Sequence, residues 1–555
     1  MHSPSRRELR AISDQAHVSA ATERGETIVR RPHWGGVAGA VFIVTLGMSG
    51  CATNVGDAEA PIDFIYAIDD DPRGMNAQFV GAPMTAMFSA QMLEPLIFQS
   101  TDFAFSPALA ESWELSDDAL TLSFQLREGV TWHDGTPFTA DDVKFNFDEI
   151  VPLSSFGAEI GERLESVEVT SETTVVIHMS EPYGPILQTV AAQFMVPKHV
   201  YEGTDYVTNP ANMAPIGTGP LMFDSYDSGE QIVLLRNPDY WGGDVSVDRV
   251  IFPIMGDATS RTEALFAGEV DQAVIGIAHQ PRVQEDPDFA LLETFGYPQD
   301  IAMMFNGKSP ELEDPAVRQA VFSAIDRQEI AETVLHGLGQ PANGFFPEAL
   351  DWAVSPNVDF SEDFPRDVDA INAALDAAGA TTGPDGSRFA LDLRYTSERT
   401  DTAAMAELAR SMLADVGITV NLVGSSATVF TESVYTTSDF DIAFLPATVG
   451  SDPSVGITRW YTCNSEKQAS ANPSQICDEQ IDAAAETALT MTGQDERGAA
   501  FIDLQDRAEE LMIYAPLVWF NGQFPVANTS RWQGLEDGSV MSNRLPWETM
   551  TRARG

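Results

Sequence analysis

Residues 107–145 read PALAESWELSDDALTLSFQLREGVTWHDGTPFTADDVKF. Between Trp113 and Arg127, Leu120, Leu122, Phe124 and Leu126 alternate with polar residues, the period-two pattern of a strand that buries one face. Asp117-Asp118 falls where the chain must reverse, so WELSDDALTLSFQLR predicts a hairpin. Directly after it the period changes. Thr139 stands as an N-cap with Asp142 three residues on, an acidic relative of the capping box, and Val143, Phe147 and Ile150 share one helical face.

The same alternation of strand-like and helix-like segments continues downstream. Asp314-Pro315 offers an N-cap with proline in the first turn, followed by Val317, Ala320, Val321, Ala324 and Ile325 at helical spacing. Farther on, Phe389, Leu391 and Leu393 alternate as a strand, and Met405, Leu408, Met412 and Val416 line a helix. Gly417 stops that helix, and Ile418, Val420 and Leu422 form a second strand. Strand, helix and parallel strand in succession predict an α/β layer. No short-period repeat is present, which argues against solenoids and propellers.

With 555 residues the chain has room for about three or four folding units of roughly 100–200 residues. It carries 83 Asp and Glu against 31 Lys and Arg, a net charge of −52. Affinity for a phosphate backbone rests on cationic side chains, so neither DNA nor RNA is an expected partner. Hydrophobic residues make up 44 %, enough for packed cores, which excludes global disorder. Only four of the basic residues are lysines, Lys144, Lys198, Lys308 and Lys467. An acidic, lysine-poor surface fits a high-salt medium, where ions screen self-repulsion, and equally an arginine-rich composition with an ordinary acidic surface.

GGVAGAVFIVTLG, residues 35–47, follows Arg30-Arg31 and precedes Met48-Ser49-Gly50-Cys51. The apolar run is shorter than the roughly 20 residues of a permanent span and suits the core of an export signal. Small residues before a cysteine resemble the lipobox of bacterial lipoproteins, which makes residues 1–50 the signal, Cys51 the lipid anchor and 51–60 a linker. A plain signal peptide with an incidental cysteine is the competing reading. The long polar lead of residues 1–28 suggests initiation near Val29, or twin-arginine export through Arg6-Arg7 or Arg30-Arg31. Without residues 1–50 the chain keeps 25 basic and 79 acidic residues, so the acidity belongs to the exported part. Cys463 and Cys477 are an even pair in an oxidising compartment, which favours a disulfide; no histidine lies near them to support a metal site.

Four stretches in order carry a family resemblance. Pro107–Phe145, quoted above, resembles the signature region of the extracytoplasmic solute-binding proteins of ABC importers, in the family of dipeptide, oligopeptide and nickel binders. PIGTGPLMFDSYDSGEQIVLLRNPDYWGG (215–243), RTEALFAGEVD (261–271) and MMFNGKSPELEDPAVRQAVFSAIDRQEI (303–330) are similar to later segments of that family. The resemblance implies an α/β two-lobed clamshell of the large peptide-binder type, closing about a hinge on its ligand. By that analogy lobe I comprises 61–105, 216–300 and 516–555, with an inserted subdomain at 106–215, and lobe II spans 301–515.

It also implies four ligand-facing segments. Phe79, Pro83 and Met84 belong to the first; Met303, Phe305 and Asn306 to the second; Thr448, Val449, Asp452 and Trp460 to the third; Trp519, Phe520 and Asn521 to the fourth. Aromatic and methionine side chains suit an enclosing cleft, and core positions are the equal alternative for any one of them. The aspartate that pairs with a peptide's ammonium in relatives falls at Val449 here. The arginine that holds the carboxylate in dipeptide binders falls at Thr396, with Arg394 and Arg399 nearby as shifted alternatives. An enclosed ammonium needs a partner, so both departures weaken a zwitterionic dipeptide as ligand.

The histidines of the exported part, His133, His178, His199, His279 and His336, show no ligand spacing, and no metal or other cofactor is expected. No Gly-x-Ser-x-Gly, His-Glu-x-x-His or Gly-x-x-x-x-Gly-Lys motif is present. The expectation is therefore a binding protein, not an enzyme. It would be a monomer lipid-anchored on the outer face of the membrane or in the periplasm, delivering a peptide or similar small solute to permease subunits with cytoplasmic ATPases. A ligand-sensing lipoprotein serving a signalling receptor, or less readily an extracellular hydrolase, are the alternatives.

Overall fold

The computed structural model describes residues 61–100, 103–154, 157–292, 297–520, 525–535 and 544–553. The export segment, Cys51 and the linker lie outside them, as does Asn521. The predicted hairpin forms from strands Ala110–Leu115 and Thr121–Leu126, paired antiparallel. At its turn Asp118 accepts hydrogen bonds from the Ser116 hydroxyl (2.6 Å) and the Leu120 amide (3.1 Å), the local closure that favours aspartate there. Strands Thr174–Met179 and Leu164–Ser171 extend the hairpin to a four-stranded sheet. The helix Ala140–Phe145 begins as expected, with the Asp142 carboxylate accepting the Thr139 amide at 3.0 Å. Its last turns widen at Asn146–Ile150, and Val143, Phe147 and Ile150 are fully buried.

The signature histidine is a joint. His133 Nε2 donates to the Gly219 carbonyl at 3.0 Å, and its Nδ1 accepts the Gly217 amide at 3.0 Å, tying the hairpin sheet to the segment that leaves it. Burial pulls its pKa down to about 4, so the ring stays neutral and keeps one donor and one acceptor nitrogen.

Two larger sheets follow. The first has seven strands, ordered Phe289–Leu291, Pro525–Asn528, Gln272–Val274, Asp63–Ala67, Arg249–Pro253, Gln231–Arg236 and Leu221–Asp227. Asp63–Ala67 runs parallel to both its neighbours. The second has six strands, ordered Gly339–Pro341, Tyr514–Phe520, Gln299–Phe305, Ile442–Thr448, Phe389–Thr396 and Ile418–Ser425. Each sheet has its own apolar core, and the four-stranded sheet has a third. The predicted strand–helix–strand unit is Phe389–Thr396, Thr400–Ala414 and Ile418–Ser425, with the strands parallel in register from Phe389↔Ile418 to Thr396↔Ser425. Gly417 sits at φ +78° between helix and strand, a conformation in which a Cβ would be strained.

Two expected boundaries fall inside strands. Tyr514–Phe520 pairs along its length with Gln299–Phe305, and Gln299 and Asp300 pair with Thr448 and Ala447, so both strands belong wholly to the second sheet. The chain rejoins the first sheet only at Pro525, because a strand's ladder hydrogen bonds cannot be divided at 300 or 516 without leaving polar backbone unpaired. Cys463 and Cys477 are joined, with Cα atoms 4.6 Å apart.

Candidate functional site

Strands Phe389–Thr396 and Ile442–Thr448 run parallel, so their carboxyl ends, Thr396 and Thr448, open on the same edge of the second sheet. Ligands of open α/β sheets bind outside such ends. A cavity of about 370 Å³ lies there, walled by Thr396, Arg399, Phe430, Tyr435, Thr448, Arg459 and Trp460, with Gln299 from the adjacent strand. Arg459 and Trp460 come from the short helical turn Ile457–Trp460. Trp460 is held by stacking on Tyr514, ring centroids 5.7 Å apart and nearly parallel at 10°. The Tyr514 hydroxyl in turn lies 2.7 and 2.8 Å from the Asp300 carboxylate oxygens. Burial pushes Asp300 up to about 7, so near neutrality this carboxyl holds its proton a large part of the time.

The pocket's electrostatics run against those of the whole chain. No Asp or Glu is among the described residues that line it, although acids outnumber bases more than twofold overall. Three buried donors in its wall have no hydrogen-bond partner: Arg459 Nε, Trp460 Nε1 and Thr396 Oγ1. A larger cavity of about 510 Å³ lies by the edge strand Gly339–Pro341. Its wall is mostly proline, glycine and aliphatic, with Glu348 the one charged group among its described residues, and it reaches the same sheet edge, where the carbonyl of its lining residue Pro298 accepts the Thr448 hydroxyl at 3.3 Å.

Of the residues expected to face ligand, Thr396, Thr448 and Trp460 meet in this pocket, together with the alternative Arg399. The Arg399 guanidinium is already paired with Asp401 at 2.6 Å. Others are taken up elsewhere. Met303 and Phe305 are fully buried in the second core, where alternate residues of a strand sandwiched on both faces must go. Asn306 spends its side chain on backbone, donating to the Ser438 and Phe440 carbonyls and accepting from the Lys308 amide. Asp452 forms a buried ion pair with Arg497 at 2.5 Å, because two charges this deep need each other. Arg394 pairs with Asp439 at 2.5 Å, with its side chain largely covered. Val449 is fully buried, its amide bonded to the Pro298 carbonyl.

Trp519 and Phe520 line the larger cavity, not this one. Phe79 packs on Tyr201 beside the inserted subdomain, ring centroids 6.1 Å apart, and Met84 packs against the first core. Pro83 opens the helix Pro83–Met92. Arg459, Tyr435, Phe430 and Gln299 are pocket residues that the sequence alone does not single out. Arg459 stands directly before Trp460, but whether an arginine has a counter-ion is a tertiary property with no local signal.

Residues 104–468 match the middle region of the bacterial extracellular solute-binding proteins, family 5. The chain belongs to that family. Among its relatives is a putative ABC transporter peptide-binding protein of Brucella ovis, 28 % identical over 83 % of this chain and 88 % of the relative. The dipeptide-binding protein of Escherichia coli is 27 % identical over 69 % of this chain and 75 % of its own. Among solved structures, NikA from Brucella suis in complex with Fe(III)-EDTA superposes with a TM-score of 0.78 at 25 % identity, covering 88 % of this chain and 99 % of that one. The mixed α/β sheets of this family 5 binding protein agree with the two-lobed architecture of its solved relatives. What its site can do is bind. The wall offers N–H and O–H donors, aromatic faces and cations, which position a solute without bonding chemistry.

Proposed function

We propose that this binding protein is the solute-capturing component of an ABC importer, taking a small organic solute of peptide-like size outside the cytoplasm and presenting it to membrane permease subunits. The 370 Å³ pocket at the ends of Phe389–Thr396 and Ile442–Thr448 is its ligand site. The observation that carries this reading is the family match over 104–468 coinciding with a pocket at parallel strand ends whose described wall holds two arginines and no acid. Export through residues 1–50 and acylation of Cys51 would keep the protein at the membrane surface, where no helix among the described residues is long and apolar enough to span.

Closure of the lobes favours the bound form only as far as the ligand binds it more tightly, so affinity and closure are one quantity. A pocket with no carboxylate in its described wall offers a peptide's ammonium no charge to pair with. Free dipeptides are therefore expected to bind weakly. A thermal-shift screen of the purified protein against a solute library, followed by calorimetry, tests both statements. Micromolar affinity for free dipeptides would sink the second, and the absence of any binding solute would sink the first.

A further inference from the structure

Arg459 differs from every other arginine that is not exposed. Arg318 and Arg327, equally desolvated, donate to backbone carbonyls, and Arg497 and Arg544 meet carboxylates. Among the described residues, Arg459 has neither: no carboxylate within ion-pair distance, no hydrogen-bond acceptor, and only the Trp460 ring, 5.4 Å from its guanidinium carbon. Desolvation pulls its pKa down, which marks a cation held where water serves it poorly. A half-buried cation without a counter-charge is costly to the fold, and such groups persist where a bound partner completes them.

The neighbours point to the same partner. Trp460 is 2 % exposed and its Nε1–H has no acceptor; Thr396 Oγ1 is likewise unpaired; no acid lines the pocket among the described residues. A cation without a counter-charge, in a wall that holds no acid among the described residues, asks for an acceptor that carries negative charge. The strip is also fixed before any ligand arrives. The Arg459 carbonyl accepts the Asn472 amide at 3.0 Å, from the loop closed by Cys463–Cys477, and Trp460 is stacked on Tyr514.

Resting on the ligand site proposed above, we infer that the solute carries a carboxylate, and that the Arg459 guanidinium receives it. The class is a small organic anion without an ammonium to enclose, such as an N-blocked peptide with a free carboxyl terminus or a dicarboxylic acid.

The test uses matched probes on the full chain. N-acetyl-Ala-Ala and succinate carry the charge; N-acetyl-Ala-Ala-amide and succinamide match their shape without it. Calorimetry is expected to show each acid binding at least about tenfold more tightly than its amide, since a charge-assisted hydrogen bond is worth that much. Arg459→Gln should erase the difference and Arg459→Lys keep part of it. Which of the two acids binds separates the peptide class from the simple acid.

A second measurement needs no ligand. If Arg459 waits for an anion, the ligand-free Arg459→Gln protein should melt at or above wild type, by up to a few degrees, because an uncompensated charge has been removed. A lower melting temperature would make Arg459 a structural residue and overturn the inference. So would amides that bind as well as acids, or discrimination that survives in Arg459→Gln; either leaves solute capture itself standing. Failure of all four probes, together with a solute library that also yields nothing, counts against the capture reading and the inference alike.

Discussion

Asp452 and Arg497, the latter on the helix Gln494–Leu511, show an arginine serving the fold instead of a ligand. Their side chains are almost wholly buried, and Arg497 also donates to the Ala488 carbonyl at 2.8 Å and to the Ser454 hydroxyl at 2.9 Å. Removing one partner strands the other, so Arg497→Met should cost roughly 3–5 kcal/mol in urea unfolding, whereas an idle surface pair would cost under about 1 kcal/mol. A loss below that level would show the pair to be incidental. Asp300 makes the complementary case in pH. Its folded pKa of about 7 lies above its unfolded value, so the native state holds a proton that the unfolded chain releases from about pH 4 upward. Its contribution therefore falls as pH rises from about 4 to about 7 and is flat above. Relative to Asp300→Asn, the wild type should lose up to about 4 kcal/mol across that window, at about 1.4 kcal/mol for each pH unit between the unfolded and folded values. A stability difference between the two proteins that does not change with pH would refute this.

At the scale of elements, the site is built from ends: two strand termini, one helical turn and one disulfide-closed loop. The strand–helix–strand unit was legible because its periodicities switch cleanly from two to 3.6 and back, and Gly417 marks the stop. The cysteine pair was legible from compartment and parity. Its loop does more than close entropy, since Ser470 lies in the pocket wall and Asn472 holds the Arg459 backbone. Reduction should lower stability by about 3 kcal/mol in the chain-entropy account and weaken solute binding at the same time. Unfolding midpoints with and without reductant test the first, and an unchanged midpoint would mean the bond constrains nothing the fold does not already hold.

For the whole molecule the governing quantity is charge. With 79 acids against 25 bases after residue 50, like charges crowd the surface and oppose compaction. Between about 0.01 M and 1 M salt the screening length shrinks from about 30 Å to about 3 Å, so the melting temperature should climb with added sodium chloride. A flat or falling curve would show that local ion pairs, such as Arg249 with Asp63, already absorb the excess. The pocket stands apart from this field. Among its described residues it is an acid-free site within an acidic body, so net charge alone is no guide to the sign of its ligand.

Sequence by itself determined the elements and the family. Hairpin, capped helix and parallel unit follow from periodicity and caps, which are local, and the quoted segments carry the family match. Only the tertiary structure decided which candidates share a cavity. Met303 and Phe305 went to a core and Trp519 to another opening, while Thr396, Thr448 and Trp460 met beside an arginine that no local pattern singles out. The reason is physical. A residue's type and spacing fix the element it joins, but burial and the presence of a counter-charge depend on segments dozens to hundreds of residues away, brought near only by the packed sheets.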